Sequence, residues 1–469
     1  MNTPGSLQRR AQLAIALTIG FYALAIVLAS ALLFTAYAGV FLSERIHLRI
    51  VLFSLIGGGI ILWSIIPRRD KFVEPGPRLD ESQQPELFDV LRDVAAKTRQ
   101  EMPAEVYLIP DVNAYVMYRG RNRRIMGLGL TLMESLSVEQ FRAVVAHEFG
   151  HYANEDLKYG AWVYRTREAI ERTVRTLAEH SGFIDAPFKW YGKFFIRITQ
   201  EISRAQELAA DRLAATVTSA KAAATALIAV RRAAYAYQGY VNSELEPVLA
   251  RGFRPPVARG FTAFASAVSK SLDEAVEDTI QNEVVEMDDS HPALRERLAN
   301  LGETFDASVS DEPRATSLLR ELPALETSLV TMMWSDPAAA ANFASVAWEE
   351  AGSRVFVPSW RENATVHADV LTGLTPVTIG DAFPRLHAKA VAADADERRT
   401  FATAIAGSAL AARLHDLGWL CDAMPGKAVA FTRDGKTIEP FGVADRLQKG
   451  ELTAAQWEEE CRAIGLESF

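Results

Sequence analysis

The chain has 469 residues, 49% of them hydrophobic, and a formal net charge of −9 at pH 7. This length allows two or three domains, and the acidic balance without a sustained basic stretch argues against nucleic acid as the main partner. Its two cysteines, Cys421 and Cys461, provide no disulfide framework and fit no cysteine-based metal site. Their sparse use agrees with a reducing compartment for the C-terminal half.

Two apolar stretches near the N-terminus predict a transmembrane hairpin, with spans at about 11–42 and 48–67. Residues 11–42 carry no charged side chain, and as a helix they would extend about 48 Å, more than the roughly 30 Å hydrocarbon core. A second uncharged run covers residues 50–67. The alternative is a cleaved signal peptide that ends at the small-residue motif Ala36-Tyr37-Ala38.

Basic residues that flank the two spans predict the orientation of the hairpin. The outer ends carry more of them than the connecting loop: Arg9, Arg10, Arg68, Arg69 and Lys71, against Arg45 and Arg49. The side with more Lys and Arg stays in the cytoplasm. The predicted location is therefore the cell (inner) membrane, multi-pass, with the bulk of the chain on the cytoplasmic side.

A polar, proline-rich linker at 74–85 separates the hairpin from the rest of the chain. A helix is predicted over 86–99, followed by a strand in "EVYLIP", a loop in "YRGRNR" and a second strand in "RIMGLGLTL". The second strand, at 125–132, is predicted to form a sheet edge along which an extended peptide could pair.

The stretch "VVAHEFGHYANED" carries two histidines four residues apart on a predicted helix, which Ser137 opens with Gln140 as its capping-box partner. His147 and His151 therefore share one face and could both bind one ion. Glu148 lies about 100° further round, where it could reach a water on that ion without binding the ion. The pattern predicts a zinc site, and the alternative is a helix that buries two uncharged histidines.

A candidate third ligand follows in "ISRAQELAADRLAA". Glu207 and Asp211 are also four residues apart, on a helix whose other residues are mostly small or apolar. Two carboxylates on such a helix are costly to bury unless they are paired or bind metal. Glu207 as third ligand, with Asp211 bonded to the far nitrogen of a metal-bound histidine, would remove that cost. The alternative is a solvated acidic patch.

Four stretches, "NAYVMYRG", "FRAVVAHEFGHYANED", "ISRAQELAADRLA" and "DDSHPALRERLANL", resemble the gluzincin family that contains the HtpX heat-shock membrane proteases and the CAAX prenyl endopeptidases. The resemblance covers roughly residues 105–302. It implies a mainly α fold with a small β-sheet (an α+β gluzincin-type metallopeptidase domain) and one Zn²⁺ per chain. The implied zinc ligands are His147, His151 and Glu207, with Glu148 as general base and acid.

The resemblance also implies roles for three further residues. Asp211 matches the family's aspartate that orients a metal-bound histidine. His291 begins a His-Pro element close to the active site of relatives, where it would hydrogen-bond the tetrahedral intermediate, and Arg297 matches an arginine in the next helix. The alternative for His291 is an ordinary helix-start residue.

The chain departs from relatives between the second histidine and the third ligand. HtpX proteases have further membrane spans there, whereas residues 152–206 contain many Arg, Lys and Glu and no long apolar run. At most, "FKWYGKFFIRIT" is an interfacial segment. Two spans cannot build the multi-span chamber of CAAX endopeptidases, so a prenylated peptide is not the expected substrate.

Four domains are predicted: the transmembrane hairpin at 1–73, a zinc metallopeptidase domain at 74–305, a helical region at 306–425, and a small α+β domain at 426–469. In the last, an Asp-Gly turn joins two short strands and two amphipathic helices follow.

The predicted function is a membrane-anchored zinc endopeptidase that acts on protein or peptide substrates in membrane protein quality control or processing. One alternative is an inactive membrane-tethered pseudoprotease that binds partners. Deformylation is a weaker alternative, because deformylases use a cysteine ligand and no cysteine precedes Cys421.

Overall fold

Helices dominate the structure, and the prediction of a mainly α fold with a small sheet is confirmed. The computed structural model describes residues 4–45, 47–66, 72–119, 123–153, 166–167, 169–177, 185–283, 291–306, 312–390 and 394–466. The α-helices are α1 Pro4–Phe41, α2 Leu48–Ile65, α3 Pro85–Thr98, α4 Leu130–Ser135, α5 Val138–Ala153, α6 Ala186–Val217, α7 Ala220–Tyr240, α8 Glu246–Ala250, α9 Val257–Ala267, α10 Ser269–Asn282, α11 Leu294–Leu301, α12 Leu322–Met333, α13 Pro337–Ala340, α14 Trp348–Ala351, α15 Val357–Val366, α16 Ala368–Leu371, α17 Phe383–Lys389, α18 Ala395–Asp416, α19 Pro440–Lys449 and α20 Ala454–Ile464. The strands are β1 Arg78–Leu79, β2 Glu105–Ile109, β3 Ala114–Arg119, β4 Arg123–Gly129, β5 Phe253–Arg254, β6 Ala344–Ser345, β7 Leu420–Asp422, β8 Ala430–Arg433 and β9 Lys436–Ile438.

Helices α1 and α2 form the antiparallel pair that the sequence predicted. Both are long and apolar enough to cross a bilayer, over Gln12–Phe41 and Leu48–Ile65. Glycines allow the two helices to approach, because a Cβ on Gly58 would lie 3.0 Å from Leu33 and a Cβ on Gly39 would lie 3.0 Å from Val51. These two contacts set the register of the pair.

A further helical layer packs against this pair. It consists of the helical residues 166–167 and 169–177 and the first half of α6. Thr173 Oγ1 lies 2.7 Å from Ser64 Oγ at the end of α2, and Tyr191 donates a hydrogen bond of 2.5 Å to the Leu17 carbonyl of α1. Helix α6 therefore joins the apolar pair to the part of the chain that carries Glu207.

The main sheet has the strand order β1-β2-β4-β3, with β2 and β4 parallel and β3 antiparallel to β4. Strand β3 was missed: its last two residues fall in the "YRGRNR" stretch that was assigned to a loop, and no element was assigned to its other residues. The prediction that 125–132 forms the sheet edge was wrong. Strand β4 pairs on both sides, with Ile125 opposite both Glu105 and Met117, so β3 is the edge strand.

Helix α5 begins as predicted, with a reciprocal capping box. Ser137 N donates to Gln140 Oε1 at 2.9 Å, and Gln140 N donates to Ser137 Oγ at 3.3 Å. The helix then packs closely on α6, because Gly150 has no side chain. A Cβ at Gly150 would lie 3.0 Å from the Ala210 Cβ.

Two large apolar clusters divide the globular part of the chain. The first extends from Leu79 to Val355 and includes the sheet, α5 and α7, and the second extends from Val357 to Leu466. Residues after 305, such as Trp348, therefore pack with the predicted peptidase domain, and we propose a boundary near residue 356. The domain boundaries otherwise stay a prediction.

The predicted hairpin turn near the C-terminus is confirmed. Asp434 and Gly435 have φ angles of 49° and 76° between β8 and β9, and α19 and α20 follow.

The close approach of α5 and α6 gives a first prediction. Gly150→Ala is expected to lower the melting temperature, because the added methyl group overpacks a contact already at 3.0 Å, a change that typically costs about 1–3 kcal/mol. Gly442→Ala is the control, since its nearest neighbour is the flexible Glu439 carboxylate at 3.3 Å and the higher helix propensity of alanine favours it. Thermal unfolding in detergent, followed by circular dichroism, compares the two. If Gly150→Ala stabilised the protein as much as Gly442→Ala, the close contact between α5 and α6 would be contradicted.

Candidate metal and catalytic site

Two neighbouring helices bring the predicted metal ligands together. His147 and His151 lie on α5, and Glu207 lies opposite them on α6. His147 Nε2 is 3.5 Å from Glu207 Oε2, and His151 Nε2 is 3.6 Å from Glu207 Oε1. Donor atoms of a tetrahedral zinc site with bonds of about 2.0–2.2 Å lie roughly 3.3–3.6 Å apart. The spacing across the two helices therefore fits a zinc ion.

Two buried polar atoms at this site lack a hydrogen bond. Glu207 Oε2 makes none, and His147 Nδ1 makes none although Asp211 Oδ1 lies 3.0 Å away. Leaving a buried polar group unpaired costs free energy. A cation held by Glu207 would satisfy its oxygen, and a small rotation of the His147 ring would complete the bond to Asp211. The residues present therefore fit a metal ion.

Asp211 is held by Arg297 on α11. Arg297 Nε donates to Asp211 Oδ2 at 2.9 Å, and its terminal nitrogen donates to Oδ1 at 2.6 Å. This bidentate geometry is the strong form of an arginine–carboxylate pair. Asp211 is only 2% exposed, so the pair is shielded from water. Arg297 thus fixes the carboxylate that faces the far side of the His147 ring.

The charges of the site act on one another. Burial disfavours the charged form of His147, but contacts with Asp211 and Glu207 outweigh it and raise the pKa of His147 to about 9. Burial acts to raise the pKa of the Glu207 carboxyl, yet contacts with His147 and His291 hold it well below the ordinary value. The site therefore favours a positive charge between α5 and α6, which is the charge that a metal ion brings.

Glu148 points into the same cavity as His147. The cavity has a volume of about 330 Å³ and is lined by His147, Glu148, Glu207 and residues of β3 and α7. His147, Glu148 and His151 can each place one polar atom within 4.8 Å of the others. Burial raises the pKa of the Glu148 carboxyl, partly opposed by the two histidines. Glu148 is thus placed to accept and return a proton at the metal position.

The structure brings His291 to the site as well. Its Nδ1 lies 3.0 Å from Glu207 Oε2, and 63% of its side chain is exposed. All seven residues predicted from the sequence therefore meet at one place, and their individual roles stay a prediction.

Sequence reasoning missed residues that shape this cavity. Arg231 on α7 lines it and pairs with Glu283 Oε1 at 3.1 Å, and Glu283 Oε2 accepts the Leu294 amide at 2.8 Å. Glu283 thereby ties α7 to the start of α11, which carries Arg297. No local pattern marks Arg231 or Glu283, because their pairing spans 52 residues.

The Asp211–Arg297 pair gives a second prediction. Arg297→Met is expected to lower the free energy of unfolding of the chelator-treated protein by about 3–5 kcal/mol, because it leaves a buried carboxylate without its partner. The control is Arg212→Met, at the residue after Asp211 on α6, where the exposed guanidinium donates a hydrogen bond of 2.6 Å to Asn300. Denaturant titration measures both variants. A loss for Arg297→Met no larger than that for Arg212→Met would contradict a structural role of the buried pair.

Comparison with known proteins shows that this part of the chain is similar to one protein family. The model of peptidase family M48 matches residues 81–305. Protease HtpX of Idiomarina loihiensis is 32% identical over 111 residues, which are 23% of this chain and 38% of that protein. The Protease HtpX homolog of Bifidobacterium longum is 28% identical over 107 residues, which are 22% of this chain and 32% of that protein.

The similarity to these relatives is local. The alignments span no more than 38% of the length of the two HtpX proteins. No solved structure matches the chain. Residues 81–305, which contain all of the candidate site, are thus similar to peptidase family M48 and, over part of that range, to HtpX proteases.

Proposed function

We propose that the protein is a membrane-anchored zinc metallopeptidase that hydrolyses peptide bonds. The observation that carries this proposal is the convergence of His147, His151 and Glu207 from two helices, at distances suited to zinc, with Glu148 beside them. Three protein ligands leave a fourth position open, which is the arrangement of catalytic rather than structural zinc sites.

In this proposal the ion would be held by His147, His151 and Glu207, and it would supply Lewis-acid activation of water and of the substrate carbonyl. Glu148 accepts the proton of the attacking water and later returns it to the leaving amine. Burial raises the pKa of this carboxyl, which favours its uptake of the proton from the water. Asp211 and Arg297 keep the His147 ring in its orientation.

His291 is proposed to assist at the substrate carbonyl. Its ring lies at the rim of the cavity, close to Glu207 and largely exposed, where it can donate a hydrogen bond to an oxygen that becomes negative during the reaction.

The edge strand β3 is the proposed binding surface for substrate. Its first residue, Ala114, lines the cavity next to His147 together with the preceding Asn113. Within the described residues only β4 pairs with β3. An extended peptide can add to such an edge through main-chain hydrogen bonds, which give affinity with little sequence selectivity. This mode suits the cleavage of unfolded protein segments, in quality control or processing.

Helices α1 and α2 are proposed to span the cell membrane, with the site on the cytoplasmic side. Their length and hydropathy support insertion, and the distribution of Lys and Arg around them supports the orientation. Substrates in this proposal are protein segments on the cytoplasmic side.

The role of Glu148 gives a third prediction. Glu148→Gln is expected to abolish cleavage of a fluorescently labelled unfolded protein, by about 10²-fold or more, because the amide cannot accept a proton. Zinc content should stay at the wild-type level. Glu139→Gln, an exposed position on the same helix, should keep full activity. Substantial cleavage by Glu148→Gln would refute its role as general base.

The third ligand gives a fourth prediction. The detergent-purified protein is expected to contain about one zinc per chain, and Glu207→Ala to lose most of it, because two imidazoles alone hold zinc weakly. Glu201→Ala, on an exposed position of the same helix, is the matched control. Elemental analysis after dialysis against a weak chelator measures the metal. A wild-type protein without zinc would overturn the proposed function.

A further inference from the structure

The first half of α6 carries an exposed surface that the catalytic site does not use. Five side chains form it, and we call them the aromatic-basic face: Lys189, Trp190, Lys193, Phe194 and Arg197. Trp190 is 70% exposed and Phe194 is 44% exposed, and their rings stack with centroids 6.0 Å apart. Exposure of large aromatic rings to water is unfavourable, so we expect a binding partner to shield Trp190 and Phe194.

The opposite side of the same turns is buried against α1. Phe188 packs edge-on against Phe21 with ring centroids 6.2 Å apart, and Tyr191 lies 6.3 Å from the same ring. Because Tyr191 also reaches Leu17, α6 runs antiparallel to α1. The aromatic-basic face is therefore part of the bundle that contains the two apolar helices.

The register of α1 and α2 gives the position of the aromatic-basic face along the axes of these helices. The contacts of Gly39 with Val51 and of Gly58 with Leu33 bring Ile65, at the end of α2, level with about residue 25 of α1. Phe21 lies four residues further, or about 6 Å. The face thus lies about one helical turn beyond the point where α2 ends, which is the depth of a membrane–water interface.

The charges and residue types of the aromatic-basic face are those typical of a membrane–water interface. Lys189 pairs with Asp185 at 2.5 Å, whereas Lys193 and Arg197 make no ion pair with any described residue. Tryptophan and basic residues concentrate at membrane interfaces, where the ring contacts the acyl boundary and the cation contacts phosphate. Among the described tryptophans only Trp63, on α2, is comparably exposed, at 56%.

We propose that the aromatic-basic face binds anionic phospholipid at the cytoplasmic surface of the membrane. Trp190 and Phe194 insert at the acyl–headgroup boundary, and Lys193 and Arg197 contact the headgroup phosphates. The proposal rests on the proposed insertion of α1 and α2. Lipid, rather than a protein partner, is the occupant because the face continues the surface of the membrane hairpin and because its cations match the negative charge of the cytoplasmic leaflet.

Lipid binding at this face would set the position of the active site. Trp190 and Glu207 lie on one unbroken helix, 17 residues or about 26 Å apart. Anchoring the first turns of α6 at the interface therefore fixes how far Glu207 lies from the bilayer.

Quenching of tryptophan fluorescence by brominated lipids tests the proposal on the full chain. The protein, in a Trp63→Phe background, is reconstituted into mixed bilayers of phosphatidylcholine and phosphatidylglycerol, with bromine near the headgroup end of one lipid at a time. The quenching that disappears on further substitution Trp190→Phe belongs to Trp190. We expect Trp190 to be quenched several-fold more by brominated phosphatidylglycerol than by brominated phosphatidylcholine.

Reversing the charge of the two basic residues is the second test of lipid binding. Lys193→Glu with Arg197→Glu is expected to reduce the preference for phosphatidylglycerol about fivefold or more, since each basic residue near an anionic surface contributes on that scale. Lys270→Glu, at a 90% exposed side chain on α10, is the control and should leave the preference unchanged.

Three outcomes would overturn the inference, and they are distinguishable. If Trp63 is quenched in the otherwise native protein but Trp190 is not, the hairpin is inserted and the face binds no lipid. Equal quenching of Trp190 by both lipids would overturn recognition of anionic headgroups. Absence of quenching of both tryptophans would mean that the hairpin is not inserted, which overturns the proposed membrane location as well.

Discussion

The need to hold two carboxylates inside an otherwise apolar helix contact constrains the whole site. Glu207 and Asp211 are 6% and 2% exposed, on a helix that must also lie close to α5. Arg297 neutralises Asp211 through two hydrogen bonds, which brings α11 against α6. Glu207 faces the histidines, with the nearest Arg297 nitrogen 3.6 Å from its Oε2, and that oxygen makes no hydrogen bond. A metal ion would satisfy it. The packing of three helices thus follows from where these two charges are placed.

The same constraint explains the small residues at the contact. Imidazoles on α5 reach a carboxylate on α6 only if the helix axes are close, and Gly150 against Ala210 permits that approach. A methyl group on Gly150 would lie only 3.0 Å from the Ala210 Cβ, so α5 and α6 would have to move apart to accept it. The glycine between the two histidines is therefore part of the site although it contributes no ligand.

How much the sequence could predict depends on how local each feature is. Three local patterns led to correct predictions of local structure: the pairs at four-residue spacing on helices, the capping box at Ser137, and the Asp-Gly turn at 434–435. Strand β3 was missed because its outer residues read as a polar loop, although "AYVMYR" alternates as an edge strand does. The pairing of Arg231 with Glu283 left no signal, because it depends on how α7 and the chain before α11 meet in three dimensions.

The packing of the later segments also could not be predicted from the sequence. Residues 306–356 are as rich in short helices as the region that follows, so composition gave no reason to divide them. The burial of individual side chains separates the two regions. Trp348 is fully buried in the first apolar cluster and donates a hydrogen bond to the Pro256 carbonyl, whereas Val357 begins the second cluster. Such a boundary is a property of contacts between distant segments.

The geometry of α6 links the two proposals of membrane anchoring and peptide hydrolysis. If edge-strand pairing along β3 gives little sequence selectivity, then selection of substrates must come from another source. A site held at most about 26 Å from the lipid surface is within reach of any cytoplasmic segment longer than roughly eight extended residues, at about 3.3 Å per residue. Folded segments do not supply an extended strand, and a segment shorter than the distance from the lipid surface to the cavity does not reach it. Unfolding and length, rather than a recognition sequence, would then decide which membrane-bound chains are cleaved.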